Sequence, residues 1–219
     1  EQRSRIPGDS FVKFAIADTV YHSVAGVLTP LTGSQWKSAG NPTPTVVKPS
    51  NPTYIRGILI VNKSLPIPAT FGNGLTAETT RAFDSMRGAA ASAGLRVSIV
   101  SGFRSYSHQE GVYARYVRER GAAGADQIAA RPGHSEHQTG LAIDVNSVSP
   151  AFARTAEGKW IAANAHRFGF IVRYPAGKEH ITGYTYEPWH LRYVGVDVAT
   201  HLKNKGLTLE EYLGVPSRY

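Results

Sequence analysis

The 219-residue chain carries 24 Lys and Arg against 16 Asp and Glu, a net charge of +8, and 42% hydrophobic residues, which excludes a disordered polyelectrolyte and allows a sizeable core. It has no cysteine, which excludes disulfides, cysteine nucleophiles and thiolate metal sites, so any metal must be held by His, Asp or Glu. No apolar run approaches the ~18 residues of a membrane-spanning helix, and the positive charge suits a polyanion such as nucleic acid, anionic lipid or an acidic wall polymer.

The chain opens at Glu1 without Met; a removed leader and a trimmed chain both account for this. Residues 1–55 read as an N-terminal extension. Within it "FVKFAIADTVYHSVAGVL" suits a strand or short helix, and "NPTPTVVKPSNPTYI" suits an extended, Pro-rich connector. Residues 56–219 read as one folded domain. "GILIVNKS" is β-rich. A helix follows, with Thr76 as N-cap, Ala82, Phe83, Met86 and Ala90 at helical spacing, and Gly94 at its end. "LRVSIVS" alternates like a strand. "SHQEGVYARYVRERG" predicts a helix opened by a Ser107–Glu110 capping box and closed by Gly121. Its Arg115, Arg118 and Arg120 alternate with Tyr113, Tyr116 and Val117, a solvated helix face and no nucleic-acid footprint. "LAIDVN" predicts a strand, "TAEGKWIAANAHRFG" a helix stopped by Gly169, and "FIVRY" and "PWHLRYV" two more strands. "TLEEYLG" is a short helix capped by Thr208 with Glu211. Helices preceding a cluster of short strands predict an α+β fold, a small antiparallel sheet flanked by helices.

Two stretches concentrate chemistry: "PGHSEHQTGLAIDV" and "YEPWHLRY". A hydrolytic zinc site needs three N or O ligands and one open position, plus a carboxylate outside the ligand set to take a proton from water. His137, Asp144 and His190 supply the ligands and Glu187 the base. Gly140 permits the turn that returns His137 beside Asp144. An ionised Asp144 among apolar neighbours is costly unless a cation or several donors satisfy it. Glu187 and His190 are three apart and would face opposite sides of a regular strand, so Pro188 must mark a bend. His22, His108, His166 and His201 read as surface or core residues, while His134 and His180 lie closer to the candidate site.

"SEHQTGLAID" fits S-x-H-x-x-G-x-A-x-D and "EPWH" fits E-x-W-H. With "LIVNKSLPIP" and "SGFRSYSHQ", they make the region from about Ile58 to Gly214 resemble the VanY-type zinc D-alanyl-D-alanine carboxypeptidases. The wider group includes lysostaphin-like peptidases, VanX-type dipeptidases and the hedgehog domain. The resemblance implies one zinc per chain on His137, Asp144 and His190, in a cleft on the sheet. It implies that Glu187 is the base and then the proton donor to the leaving amine. Arg104 would stabilise the oxyanion or hold substrate carbonyls. Gln109, Ser135 and Tyr174 would bind the terminal D-alanine and its carboxylate or assist the intermediate, and Trp189 would line the pocket floor. Phe103 stands where Tyr is common in such enzymes. The implied substrate is a peptidoglycan stem peptide or its precursor, met outside the cytoplasm, in glycopeptide resistance or wall remodelling. L,D-carboxypeptidases, D,D-dipeptidases, stem-peptide endopeptidases and a non-catalytic zinc domain are the neighbouring alternatives. Read alone, Arg104 also suits a surface arginine, Gln109 a solvated amide, Ser135 a turn cap and Tyr174 a packed strand end. The sequence carries no signal for oligomeric state.

Overall fold

The computed structural model describes residues 52–219 continuously, and before them the backbone of residues 10–14, 20–24, 27–30, 33–39 and 45–47. That early part holds β1 (Ser10–Phe14), β2 (Val20–Val24), β3 (Val27–Pro30), α1 (Gly33–Ser38) and β4 (Thr45–Val47). The strands form one sheet in the order β3-β2-β1-β4, with β4 parallel to β1 and the other pairs antiparallel. The strand-or-helix segment is therefore strands, and the Pro-rich connector contributes one strand to the same sheet.

β5 (Thr53–Ile55) and β6 (Ile58–Ile60) form a hairpin. Its two turn residues, Arg56 and Gly57, both have positive φ, the backbone that joins right-twisted strands in two residues. Ile55 is buried with Ile60, Leu65 and Ile171. The hairpin spans the expected boundary between residues 55 and 56.

The elements that follow are α2 (Ala77–Ser92), β7 (Ile99–Ser101), α3 (Tyr106–Ile128), β8 (Ala142–Val145), α4 (Ala156–Asn164), β9 (Phe170–Tyr174), α5 (Glu179–Thr182), β10 (Glu187–Tyr193), α6 (Val196–Lys205) and α7 (Leu209–Leu213). β7, β8, β10 and β9 lie side by side in that order, antiparallel throughout. This is the expected antiparallel sheet with its helices.

The Thr76 side chain caps α2, and Thr208 with Glu211 forms the capping box of α7, as their residue types require. α3 departs from expectation at both marked positions. Its cap is Ser105, which accepts from the His108 amide, two residues earlier than Ser107. Gly121 does not end the helix. It breaks it with φ 72 and ψ 168, and helical structure resumes to Ile128. Arg115, Arg118 and Arg120 are exposed, as a solvated face requires.

Strand alternation gives the sheet two unlike faces. Ile143, Val145, Phe170, Leu191 and Val172 point to one side, where α2 brings Phe83, Met86 and Ala90 and α4 brings Ile161. Ile171 points to the other, against Leu202 of α6, Leu209 and Leu213 of α7, and the hairpin. Asp144, Arg173, His190 and Arg192 share that second side by alternation, and all four are buried.

Candidate active site

The register of β8 and β10 sets the site. His190 pairs directly with Asp144 across the two strands. His137 comes from the 3-10 turn Glu136–Thr139, which ends at Gly140 in the left-handed region with φ 72. A Cβ at Gly140 would stand 2.2 Å from the Gly74 carbonyl oxygen, so the turn needs glycine for both its backbone and its space. Ligand atoms of His137, Asp144 and His190 all lie within 4.8 Å of one another, and all three residues are buried.

The rings' hydrogen-bond partners test whether this group suits a metal. His137 Nδ1 is 2.7 Å from the Gly102 carbonyl oxygen and its Nε2 is 3.2 Å from Asp144 Oδ2. His190 Nδ1 is 3.0 Å from Asp144 Oδ1 and its Nε2 is 3.5 Å from Glu136 Oε2. Every ring nitrogen thus faces an acceptor, yet a neutral imidazole has one N–H and one lone pair. With the outer nitrogens donating to Gly102 and Glu136, both inner lone pairs would oppose the Asp144 carboxylate. A cation among them removes that conflict, and two imidazoles with one carboxylate are a fitting donor set for zinc. Protons otherwise take that role. Burial alone would lower the His190 pKa, but the Asp144 and Glu136 carboxylates outweigh it and hold the ring up at about 9. Burial lowers that of His137. Asp144 resists its burial and stays well below the usual carboxylate range through the two histidines.

Glu187 stands beside this group without belonging to it. Its Oε2 is 3.9 Å from His190 Nδ1. Burial pushes its carboxyl up to about 7, against the pull of His190. The β9–β10 register shifts between Glu187 and Leu191. That irregularity is the bend expected at Pro188, and it lets residues three apart serve one site.

Arg104 leaves β7 towards the same group. Its Nη2 lies 4.0 Å from Asp144 Oδ2 and donates to Ser101 Oγ at 3.0 Å, and its Nη1 donates to Gln109 Oε1 at 2.8 Å. Its backbone amide donates to the His137 carbonyl. Gln109 is buried and donates in turn to the Ala130 carbonyl at 2.6 Å. Its amide is therefore a brace for Arg104, not a solvated group. Ser135 is buried before the 3-10 turn and makes no side-chain cap there. Tyr174 is buried opposite Glu187, its ring 4.9 Å from that of His190. Trp189, next to His190 in the strand, is partly buried and packs against the core cluster behind the sheet. His134 is tied to the Asn62 carbonyl and set edge-on to Tyr219, while His180 is exposed. Neither belongs to the ligand group.

The sequence reading missed a buried ionic network behind the ligands. Glu136 Oε1 accepts from Arg173 Nε at 2.8 Å and Arg192 Nη1 at 2.6 Å. Arg173 also grips Glu210 with both terminal nitrogens, at 2.7 and 2.5 Å. The available signal was a lone arginine inside each of two apolar strands, "FIVRY" and "HLRYV", because a buried guanidinium demands a buried carboxylate.

Three buried residues able to hold a metal, a further carboxylate beside them and an arginine close by define a metallopeptidase-type site on a small antiparallel sheet. The family assignment agrees. Residues 72–196 match the VanY family, D-alanyl-D-alanine carboxypeptidase, and the chain belongs to it. The putative carboxypeptidase YodJ of Bacillus subtilis is 47% identical over 141 residues, 62% of this chain and 52% of that protein, so the chain spans about half of that relative's length. The LdcB LD-carboxypeptidase structure aligns with a TM-score of 0.69 at 34% identity, over 78% of this chain and 96% of that one. The vancomycin-resistance D,D-pentapeptidase VanY of a VanB-type cassette, solved in complex with Zn(II), aligns with a TM-score of 0.63 at 35% identity, over 70% of this chain and 97% of that one.

Proposed function

We propose that this protein is a zinc D,D-carboxypeptidase that removes the terminal D-alanine from D-Ala-D-Ala-ended peptidoglycan stem peptides or their precursors. The observation that carries the reading is Glu187: a largely buried carboxylate with a raised pKa, beside the three-residue group and outside it. His137, Asp144 and His190 would hold one zinc, which when bound supplies Lewis acidity and an acidified water. Glu187 takes the proton of the attacking water at its carboxylate and returns it to the leaving amine. A carboxyl near pH 7 can do both. Arg104, held by Ser101 and Gln109, presents fixed positive charge to the oxygen on which charge develops. Tyr174 and Ser135 line the approach for the terminal residue, and Gln109 acts on it through Arg104.

No serine nucleophile enters this chemistry, so β-lactams, which acylate serine, inhibit poorly. The net positive charge supports action outside the cytoplasm on an acidic wall. Among the described residues no helix is long and apolar enough to cross a membrane. We assign catalysis to the unit from the β5–β6 hairpin to the C-terminus, which contains the whole family match, and leave residues before it as an accessory sheet. A role in glycopeptide resistance or wall remodelling follows from the same substrate.

A second reading, L,D-carboxypeptidase action on tetrapeptides, draws support from the likeness to LdcB. One digest separates them. Pentapeptide, tetrapeptide and tripeptide are incubated with zinc-loaded protein, with and without chelator, and products are weighed by mass spectrometry. Chelator-sensitive loss of one D-alanine from pentapeptide supports the first reading. Cleavage of tetrapeptide alone supports the second. No cleavage of any of the three overturns both.

A further inference from the structure

Glu136 precedes the ligand His137 in sequence, yet its side chain goes to the other ligand histidine. Its Oε2 lies 3.5 Å from His190 Nε2, and both atoms are buried and without a hydrogen-bond partner, so each is the nearest polar group available to the other. Nε2 is on the far side of the ring from Nδ1, which faces Asp144, so Glu136 cannot join the same ion as Nδ1. Its orientation is fixed. Oε1 takes both guanidinium bonds, from Arg173 and Arg192, leaving Oε2 for the ring. Arg173 is fixed by Glu210, and Glu210 Oε1 accepts a hydrogen bond from the Asn62 side-chain amide at 3.1 Å.

We propose that Glu136 is the positioning residue for His190: its carboxylate accepts the Nε2–H and thereby turns the Nδ1 lone pair to the metal. The inference rests on the zinc reading above. A carboxylate behind a ligand histidine fixes its tautomer and plane and raises its basicity. The two arginines keep that carboxylate charged and stationary, so the ring meets the ion already oriented.

The experiment compares Glu136→Gln with Glu210→Gln in the full chain, using zinc affinity by chelator competition, melting temperature, and long-range ¹H–¹⁵N NMR of the zinc-loaded histidines. Both variants remove a charge from the same buried network, but only Glu136 touches the ring. In wild type, His190 shows a protonated Nε2 and a metal-bound Nδ1. Glu136→Gln loses roughly 10- to 100-fold in zinc affinity and its His190 Nε2 proton signal broadens or vanishes. Glu210→Gln lowers the melting temperature yet keeps the affinity and the signal. Equal affinity loss in both variants, or full affinity in folded Glu136→Gln, overturns the proposal. If Glu136→Gln does not fold, the wild-type spectrum decides: a His190 bound through Nε2 refutes it. A wild-type chain that binds no zinc overturns the zinc reading and this inference together, whereas unchanged affinity in Glu136→Gln overturns the inference alone.

Discussion

The two faces of the β7-β8-β10-β9 sheet are made from the same few strands and have opposite chemistry. On one, Ile143, Leu191 and Phe170 meet Met86 and Phe83 of α2. On the other lie Asp144, His190, Arg192 and Arg173, equally buried but ionisable, beside Ile171 packed on α6 and α7. Burying apolar area stabilises the fold directly, roughly 25 cal/mol per Å². Burying charge does not, because desolvation offsets most of the attraction between partners. The apolar face therefore does most to hold the sheet, and the face that bears Asp144 and His190 is carried by that stability.

This division predicts that damage on one face changes stability and damage on the other changes chemistry. The largest effect is expected at Glu187. Glu187→Gln keeps shape and removes the base, so turnover of a cleaved stem peptide should fall by at least roughly 10²–10⁴-fold with zinc content and melting temperature unchanged. A stable, zinc-loaded, fully active variant would rule Glu187 out as the base. Arg104→Ala should cost roughly 10²–10³-fold in turnover with zinc retained, and Arg104→Lys should recover only part, because lysine lacks the planar fork. Steady-state kinetics on metal-replete protein checks both. Met86→Ala acts on the apolar face. It should cost about 2–5 kcal/mol in denaturant unfolding while turnover per folded, zinc-loaded molecule stays at the wild-type value. A turnover loss without destabilisation would show that the faces are not independent.

The smallest effect is expected away from both faces, at Asp126. Burial works to raise its carboxyl, but hydrogen bonds from Arg131 and Tyr113 outweigh this and hold it below the usual value. A carboxylate with a lowered folded pKa stabilises the fold above its unfolded value near 4 and loses that contribution as pH falls through the folded value. Arg131 is 43% exposed, so the pair is screened and should contribute at most about 1 kcal/mol. Unfolding of wild type and Asp126→Asn should differ by that amount at neutral pH and converge in acid. A gap that persists at low pH would assign the effect to packing instead.

That His137, Asp144, His190 and Glu187 come together was legible because their residue types are costly or unusual where they stand: a carboxylate in "LAIDV", a glutamate and histidine around Pro188. α2 and α7 were legible because caps act locally. The α3 cap was misread because Ser105 and Ser107 both offer a hydroxyl, and the choice depends on where β7 delivers the chain. Gly121 signalled a break correctly but could not say that the helix resumes. Glu136 was hidden because its partners, Arg173, Arg192 and Glu210, are distant in sequence and meet only after the strands pair.

The direct pairing of His190 with Asp144 constrains how such a chain can change over evolutionary time. Extra residues in the connections between β8 and β10 leave that rung intact and can reshape the surroundings of the site. One residue inserted within β10 ahead of His190 would invert the rest of the strand, sending Leu191 to the face of Asp144 and His190 into the apolar layer. Loop length is therefore free to drift and to tune which peptide is cut, whereas the seven residues of β10 must be inherited as a unit.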